Sequence, residues 1–221
     1  MLIDYSLYLV TDRGLAQGRE TVTIVRAAIA GGVTCVQLRE KNCATRAFID
    51  EARALKALLD GLATKIPLII NDRLDVALAI GADGVHLGQT DMHIRDARRL
   101  VGPSMIIGIS AESVHDAVRA AAEGADYIGI SPVFATPTKA DTAAPLGLEG
   151  VRLIRAAVSL PLVAIGGIHQ QNAQAVIRAG ADGVAVVSAI VAADCPRTAA
   201  AALKQQIQSA REEEESPWNN T

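Results

Sequence analysis

The chain has 221 residues, half of them apolar, and can therefore bury a sizeable core within a single domain. Its formal net charge of -3 gives no broad basic surface for nucleic acid or an anionic membrane, so we expect small-molecule partners and a local cationic site. Three cysteines without a paired spacing favour neither a disulfide framework nor a zinc site. Without a leader pattern or a long apolar run, these features predict a cytoplasmic protein.

A glycine-containing junction recurs four times, each time after an Ala-rich helical pattern and before a β-branched run. Glycine supplies the left-handed residue that ends a helix, and the small or acidic residues after it turn the chain into the next strand. Because the spacing of the junctions suits two strand-and-helix pairs, four copies predict eight strands. The junctions are Gly31-Gly32-Val33, Gly81-Ala82-Asp83-Gly84, Gly124-Ala125-Asp126-Tyr127 and Gly180-Ala181-Asp182-Gly183.

In chain order, strands are predicted at residues 7–11, 33–39, 66–71, 84–87, 105–110, 127–131, 162–165 and 183–187. Helices are predicted at residues 21–30, 45–62, 74–80, 94–101, 113–123, 149–158, 171–179 and 196–210. Nearly all-apolar strands separated by helices indicate a buried parallel sheet. Residues 11–15 (TDRGL) lack the glycine-rich turn of an open dinucleotide-binding sheet, which favours a single-domain (β/α)8 TIM barrel over residues 1–210. The acidic segment 211–221 is predicted to be a disordered tail.

The second predicted strand turns polar on every second residue at its C-terminal end. Side chains alternate along a strand, so Gln37, Arg39 and Lys41 share one face while Val36 and Leu38 take the other. An Arg fork beside a Lys point charge suits a phosphate or a carboxylate far better than an apolar core. Because active sites of such barrels lie at the C-terminal ends of the strands, this stretch predicts an anion site there.

Two carboxylates, Asp72 and Asp91, follow the third and fourth predicted strands and can approach one point from two sides. Two carboxylates with room for waters and for substrate phosphate oxygens are typical of a magnesium (Mg²⁺) site. Each residue is also placed to cap the helix that follows it, and the pattern leaves both alternatives open. The neighbouring Arg39, Lys41 and Asn71 favour the metal, because Mg²⁺ and two cations together would neutralise a polyphosphate.

A second phosphate signal comes from Gly166-Gly167 after the seventh strand and Ser188 after the eighth. Glycines let the backbone approach a ligand closely, and amides at the start of a short helix can hold a monophosphate. A plain tight turn is the alternative for the glycine pair. A single His near the end of the fourth strand, such as His86, is more often a satisfied core residue than a catalytic one, and the sequence leaves open whether His86 takes part.

The loop at residues 132–147 is too long for a plain connection and is predicted to close over bound substrate as a lid. It carries Thr136, Thr138 and Lys139, which would supply two hydroxyls and a positive charge. The alternative is a solvated surface loop. The root of this loop lies beside the predicted phosphate sites, which favours the lid.

Taken in order, these motifs resemble those of the thiamine-phosphate synthase family, over nearly the whole chain except the acidic tail. The matching segments are YLVTD at 8–12, QLREK at 37–41, ND at 71–72, GVHLGQTD at 84–91, Ser110, TPTK at 136–139, IGGI at 165–168 and VS at 187–188. The resemblance implies a transferase that joins hydroxymethylpyrimidine diphosphate to hydroxyethylthiazole phosphate. The products would be thiamine phosphate and pyrophosphate, and the reaction would be assisted by Mg²⁺.

The resemblance also implies a role for each matching residue. The pyrimidine diphosphate would contact Gln37, Leu38, Arg39, Glu40, Lys41, Asn71, Ser110 and Lys139. The thiazole phosphate would contact Thr136, Pro137, Thr138, Gly167, Val187 and Ser188. Asp72 and Asp91 would bind the metal, while Arg39, Lys41, Ser110 and Lys139 would carry the catalysis.

Two other functions remain open at this point. One is a thiazole tautomerase-like isomerase on the same barrel, which would need the thiazole phosphate site but neither the metal nor the diphosphate site. The other is a non-catalytic sensor of phosphate ligands, for which a decayed metal site would be expected. Because Asp72, Asp91 and Lys139 are all present, the sequence favours the synthase.

Overall fold

The computed structural model describes residues 3–136 and 144–214, which form a barrel of eight parallel strands surrounded by helices. The strands are β1 (Leu7–Val10), β2 (Cys35–Leu38), β3 (Leu68–Asn71), β4 (Gly84–Leu87), β5 (Ile106–Ala111), β6 (Tyr127–Ile130), β7 (Leu162–Ile165) and β8 (Gly183–Val186). The helices in these residues are α1 (Thr21–Ala30), α2 (Thr45–Asp60), α3 (Leu74–Ile80), α4 (Ile94–Val101), α5 (Val114–Ala122), α6 (Gly147–Ala157), α7 (Ala173–Arg178), α8 (Ser188–Val191) and α9 (Pro196–Glu214).

Each strand pairs in parallel with the next along the chain, and β8 pairs with β1 to close the sheet. Leu9 of β1, for example, lies opposite Val36 of β2 on one side and Val186 of β8 on the other. Closure removes every free sheet edge, and the helices bury the outer face of the strands. The predicted (β/α)8 TIM barrel is therefore confirmed.

Two helices depart most from the prediction, whereas α2, α5, α6 and α7 differ from it by only one or two residues at their ends. Helix α8 was absent from the predicted elements, because four residues are too few to show an apolar period. Helix α9 continues to Glu214, past the predicted end at residue 210. Its added turn is tied to the barrel, since Arg211 donates to the Asp182 carbonyl and Glu213 forms an ion pair with Arg178 of α7. Residues 211–214 thus continue the helix, and the rest of the predicted tail lies outside the described residues.

The junction aspartates each anchor the start of an odd-numbered strand at the N-terminal end of the barrel. Each carboxylate accepts a hydrogen bond from a strand N–H and also forms an ion pair with a cation. The strand N–H and the carboxylate therefore both have partners. The strand bonds are Leu68 N to Asp83 (3.0 Å), Ile107 N to Asp126 (2.7 Å) and Leu162 N to Asp182 (2.7 Å). The cations are Lys65 on Asp83, Arg98 on Asp126 and Arg155 on Asp182.

The first junction places Thr34 where the others place aspartate. Its hydroxyl oxygen accepts a hydrogen bond from the N–H of Leu7, at 3.1 Å. The four junctions predicted from the glycines therefore have a structural role at the N-terminal end of the barrel. Each one holds the start of an odd-numbered strand through a side-chain hydrogen bond. Within the described residues, no helix combines the length and the apolar character that crossing a bilayer requires.

Candidate active site

A cavity of about 970 Å³ opens at the C-terminal ends of the strands. That size suits a ligand larger than a single phosphate. Most of the predicted site residues that the structure describes line it: Gln37, Arg39, Lys41, Asn71, Asp72, Asp91, Ser110, Thr136, Gly167, Val187 and Ser188. Pro137, Thr138 and Lys139, which were also predicted for the site, lie outside the described residues.

Leu38 and Glu40 were expected at the site from the family resemblance, but they do not line the cavity. Alternation along β2 sends Leu38 outward into the core between strands and helices, where it is fully buried. Glu40 points the same way, and its carboxylate accepts a hydrogen bond from Arg13 at 3.3 Å. Burial and the neighbouring Glu51 raise the pKa of Glu40. Only the alternate residues Gln37, Arg39 and Lys41 of this segment reach the cavity.

The Arg39 guanidinium is held in place by the loop after β1. Its Nη1 donates to the Asp12 carboxylate at 2.9 Å, and both side chains are about four-fifths buried. The backbone N–H of Arg39 donates to the Thr11 hydroxyl at 3.0 Å. A planar guanidinium anchored on one edge presents its remaining N–H groups in a fixed direction. Asp12 and Thr11 are positioning residues that the sequence reading missed, although they directly follow β1.

Neither Asp72 nor Asp91 caps a helix through its side chain. The residue that caps α4 is His93, whose ring accepts a hydrogen bond from the Arg95 N–H, and α3 has Arg73 at its N-cap position with no side-chain cap. Asp91 instead accepts a hydrogen bond from the Gly88 N–H at 2.7 Å within its own loop. The capping alternative is therefore wrong for both residues, and their carboxylates line the cavity.

The two carboxylates and Lys41 form one charged cluster. Lys41 Nζ lies 2.5 Å from Asp72 Oδ2. Burial raises the pKa of Asp91, and the adjacent Asp72 carboxyl raises it further against the opposing effects of Gly88 and Lys41. A buried carboxylate whose ionisation is made costlier by a neighbouring carboxylate suits a cation between the two. In residues 3–136 and 144–214, no cluster of three or more His, Cys, Asp or Glu forms a metal cage. This donor set fits Mg²⁺, which takes few protein ligands and completes its shell with water and phosphate oxygens.

The opposite wall of the cavity is built from glycine backbone. Gly166 and Gly167 have φ of 104° and 63°, in the left-handed region that favours glycine. A Cβ at Gly167 would lie 2.7 Å from the carbonyl oxygen of Ala135, so the loop packs directly against this turn. The Asn172 side chain donates to the Gly167 carbonyl at 2.9 Å and fixes the turn from behind. Backbone therefore faces the cavity with little side-chain cover.

Ser188 begins α8 beside this glycine wall, at the end of β8. The far end of α8 is anchored by Arg19, whose guanidinium donates to the carbonyls of Ala193 at 2.8 Å and Val191 at 2.5 Å. A cation at a helix C-terminus satisfies carbonyls that have no partner within the helix. Arg19, in the loop before α1, thus ties this short helix to the barrel wall.

Only the roots of the predicted lid are described. Val133 N donates to the Ile165 carbonyl at 2.9 Å, and Phe134 N donates to the Gly166 carbonyl at 3.0 Å. On the returning side, Leu146 N donates to the Pro132 carbonyl at 2.9 Å. The two ends of the loop are therefore held together beside the glycine wall, and Thr136 lines the cavity. Closure of residues 137–143 over a substrate stays a prediction.

A chain of polar side chains crosses the floor of the cavity. Gln37 Nε2 donates to the Tyr8 hydroxyl at 3.0 Å, and the Tyr8 and Tyr127 hydroxyls are 2.9 Å apart. His86 lies between Tyr127 and Ser110, with Nδ1 2.8 Å from the Tyr127 hydroxyl and Nε2 2.9 Å from Ser110 Oγ. His86 is therefore part of the cavity lining rather than a core residue. Tyr8 and Tyr127 were missed, although a tyrosine on a buried strand needs a hydroxyl partner.

Comparisons with known proteins show which family this chain is similar to. A family model described as thiamine monophosphate synthase matches residues 7–190. A thiamine-phosphate synthase of Albidiferax ferrireducens is 58% identical over 91% of this chain and 91% of its own length, and one of Chloroflexus aurantiacus is 53% identical over 96% of each. The solved structure of a thiamine phosphate pyrophosphorylase from Pyrococcus furiosus superposes with a TM-score of 0.86 at 40% identity. It covers 94% of this chain and 97% of that one.

Proposed function

The chain belongs to the thiamine-phosphate synthase family, and on that premise we propose how its cavity residues carry out the reaction. The enzyme is a transferase: it joins hydroxymethylpyrimidine diphosphate to hydroxyethylthiazole phosphate and releases pyrophosphate. The comparisons give no support to the isomerase and sensor alternatives. The observation that carries the proposal is a single cavity with cations and two carboxylates on one wall and bare glycine backbone on the other.

The diphosphate is bound at the charged wall. Arg39 and Lys41 reach the cavity from the end of β2, and Asn71 and Ser110 reach it from the ends of β3 and β5. Arg39 offers a fixed fork because Asp12 and Thr11 hold it, and such a fork matches phosphate oxygens. Lys139 is proposed to join this wall from the lid. We therefore assign Arg39, Lys41 and Ser110 to the leaving group because they line the cavity, and Lys139 by resemblance alone.

Magnesium is proposed to lie at Asp72 and Asp91, because these two carboxylates fit its coordination habits. When bound, the ion supplies positive charge to the diphosphate oxygens as the pyrophosphate departs. Lys41 is hydrogen-bonded to Asp72, so a residue of the diphosphate wall and a residue of the metal site meet directly. The charged wall therefore acts as one unit on the leaving group.

The thiazole phosphate is proposed to bind at the glycine wall. Gly167, Val187 and Ser188 lie at the ends of β7 and β8, where barrels commonly hold a monophosphate on backbone amides. Thr136 reaches the same cavity from the lid root, and Pro137 and Thr138 are assigned beside it by resemblance alone. Binding there would place the thiazole ring between the glycine wall and the pyrimidine.

The chemistry asks the protein for charge stabilisation more than for proton transfer. In the dissociative reaction, the bond between the pyrimidine methylene and the diphosphate oxygen breaks with both electrons going to the oxygen. The thiazole nitrogen then supplies its lone pair to the methylene cation. Preorganised donors aimed at the departing oxygens lower this barrier, because they bind the leaving group more tightly as its charge grows. Arg39 and Ser110 are placed for that role.

A cytoplasmic location also stays a proposal. It is supported by free cysteines, since Cys35, Cys43 and Cys195 form no disulfide in the structure. Free thiols persist in a reducing compartment. Fractionation of cells that express the full chain, followed by immunoblotting, would test the location, and recovery from an oxidising compartment would contradict it.

The experiment that tests the site assignment measures pyrophosphate binding by calorimetry, with and without Mg²⁺. We expect Mg²⁺ to tighten binding to the parent protein, and Arg39→Ala to weaken it in both conditions. Asp72→Asn should remove most of the Mg²⁺ effect while leaving metal-free binding in place. Equal pyrophosphate affinity with and without Mg²⁺ in the parent protein would contradict the proposed metal site.

A further inference from the structure

We propose that Tyr127 and His86 are positioning residues, which act through a one-way hydrogen-bond chain to turn the Ser110 hydroxyl proton toward the cavity. The inference rests on the proposed function in one respect, namely that Ser110 contacts the diphosphate. It goes further by giving a role to residues to which the family resemblance assigned none. It also specifies the tautomer of His86, with the proton on Nε2.

The direction of the chain begins at Gln37, whose amide nitrogen can only donate. Tyr8 Oη accepts that proton at 3.0 Å, so the single proton of Tyr8 is available for the Tyr127 oxygen at 2.9 Å. Tyr127 in turn donates to His86 Nδ1 at 2.8 Å, which requires that Nδ1 carry no proton. The neutral imidazole then carries its proton on Nε2 and donates to Ser110 Oγ at 2.9 Å.

Burial of the side chains enforces the direction of these hydrogen bonds. Tyr8 and Tyr127 are each 1% exposed and Gln37 is 5% exposed, so water does not replace a missing partner. A buried hydroxyl left without a partner costs more than an ordinary hydrogen bond contributes, and each link therefore constrains the next. Burial also raises the pKa of both Tyr8 and Tyr127 well above the usual value. Both phenols accordingly stay protonated and remain donors.

Two glycines in neighbouring strands make space for the rings of Tyr127 and His86. A Cβ at Gly108 would lie 2.1 Å from the Tyr127 ring, and a Cβ at Gly129 would lie 2.9 Å from the His86 ring. Both glycines sit in strands, where glycine is otherwise unfavourable. The Cβ at Gly108 would collide with ring carbons that tyrosine shares with phenylalanine, so Gly108 makes room for the ring of residue 127 and Gly129 makes room for the imidazole. The glycines thus allow the two rings to sit inside the barrel, and the hydrogen bonds of those rings carry the proposed order.

The consequence falls on Ser110. Its oxygen accepts from His86, so its own proton is left to donate to an acceptor in the cavity that it lines. Without the Tyr127 hydroxyl, the imidazole can place its proton on Nδ1 and leave Nε2 as an acceptor. Ser110 would then donate to His86 and turn its lone pairs toward the anionic diphosphate. The direction of the hydrogen-bond chain thus determines whether Ser110 presents a donor or an acceptor to the leaving group.

The tautomer can be read directly by ¹⁵N NMR of imidazole-labelled full-length protein, which has four histidines. His86→Gln assigns the His86 signals by their loss. We expect Nε2 at the chemical shift of a protonated ring nitrogen and Nδ1 at that of an unprotonated one. Tyr127→Phe should reverse or mix this pattern. A parent protein with the proton on Nδ1 would overturn the proposal, whatever the kinetics show.

Kinetics test the action through Ser110. Tyr127→Phe is expected to lower kcat about tenfold with a smaller effect on KM, because one preorganised neutral hydrogen bond is misdirected. In a Ser110→Ala background the same substitution should have no further effect, as expected for two residues that act through one bond. Tyr5→Phe is the matched control, since the Tyr5 ring lies 4.8 Å from that of Tyr127 and is also buried. It should leave kcat unchanged.

A third variant separates hydrogen bonding from packing. His86→Gln retains an N–H donor in the region of Nε2, whereas His86→Leu removes it at similar volume. We expect His86→Gln to keep more of the parent kcat than His86→Leu. Equal loss in the two variants would contradict donation by His86.

The outcomes distinguish this proposal from the proposed function. If Ser110→Ala lowers kcat but Tyr127→Phe lowers it by the same factor with or without Ser110, the positioning chain is wrong and the site assignment stands. If Ser110→Ala leaves kcat unchanged, the assignment of Ser110 to the diphosphate is wrong, and this inference falls with it.

Discussion

At the N-terminal end of the barrel, Asp83, Asp126 and Asp182 each bind a strand N–H and a cation, whereas at the C-terminal end Arg39 and Lys41 extend into a cavity. Both ends contain ion pairs of similar length. At the N-terminal end, however, the aspartate of each pair also binds a backbone N–H, and the arrangement is repeated around the barrel. At the C-terminal end the pairs with Asp12 and Asp72 leave donors facing open space.

The surroundings of an ion pair therefore determine whether it supports the fold or the site. Both terminal nitrogens of the Arg98 guanidinium are used within the fold, because they donate to the carbonyls of Gly102, Met105 and Gly124 as well as to Asp126. Arg39 is held through one edge by Asp12 and lines the cavity with the rest. We therefore expect substitutions at the N-terminal end to change stability and those at the C-terminal end to change turnover.

The largest expected effect is on turnover at the charged wall. Arg39→Ala and Lys139→Ala should each lower kcat by roughly two to three orders of magnitude, as the loss of one preorganised charge-stabilising donor can do. Steady-state rates at saturating substrates, with the folded fraction checked by circular dichroism, provide the measurement. Near-normal turnover in both variants would contradict the claim that residues at the C-terminal end of the barrel control turnover.

The next effect is on the metal. Asp72→Asn and Asp91→Asn should each weaken the apparent Mg²⁺ affinity by about tenfold or more, since even a group that only supports a metal ligand has that effect. Titration of activity with Mg²⁺ gives the apparent constant. A chelator should abolish turnover of the parent protein, and activity that survives thorough chelation would rule out the metal site.

Stability should respond at the opposite end. Asp126→Ala leaves the Ile107 N–H without its partner and is expected to lower the free energy of unfolding by about 1–3 kcal/mol. Urea denaturation followed by circular dichroism measures the change. At low temperature, where the variant remains folded, kcat should equal that of the parent. A lowered kcat in fully folded Asp126→Ala would show that the two ends are coupled.

A smaller effect is expected at the residue that holds Arg39. Asp12→Asn keeps one oxygen for the guanidinium but removes the charge that orients it, so kcat/KM should fall about five- to tenfold. Asp50→Asn, at an exposed position of α2, serves as the control for loss of one negative charge. An unchanged kcat/KM for Asp12→Asn would mean that Arg39 does not need this anchor.

The smallest effect concerns pH. Because burial and Asp72 raise the pKa of Asp91 above its ordinary value, ionisation of Asp91 is less favourable in the folded state than in the unfolded chain. The penalty is absent below the unfolded pKa and develops fully as pH rises through the folded pKa. In chelator, Asp91→Asn should therefore gain stability relative to the parent as pH rises through this window. Parallel unfolding midpoints for the two proteins across that range would contradict the shift.

Much of the fold was predictable from local pattern. The junction glycines and aspartates predicted eight strands, and β4, β7, α1, α3 and α4 have their predicted bounds. Alternation on β2 correctly separated Arg39 and Lys41 from Leu38. These features depend on neighbours within a few residues, where the period of a strand or the conformation of glycine decides the outcome.

The rest depends on partners that are distant in sequence. Tyr8 and Tyr127 share a hydrogen bond although they are 119 residues apart, and no local pattern connects them. Arg19 anchors α8 from the other end of the chain, and α8 itself is too short to show a period. The capping alternative for Asp72 and Asp91 was equally consistent with the sequence, because only the structure shows which atoms the carboxylates contact.

The separate roles of the two barrel ends can be measured in one assay: pyrophosphate release at saturating substrates and Mg²⁺ by the parent protein, Arg39→Ala and Asp126→Ala, at a temperature where all three are folded. The parent and Asp126→Ala should release pyrophosphate and form thiamine phosphate in equal amounts and at equal rates. Arg39→Ala should be about a hundred- to a thousandfold slower. Equal rates for all three proteins, or a loss confined to Asp126→Ala, would contradict the account.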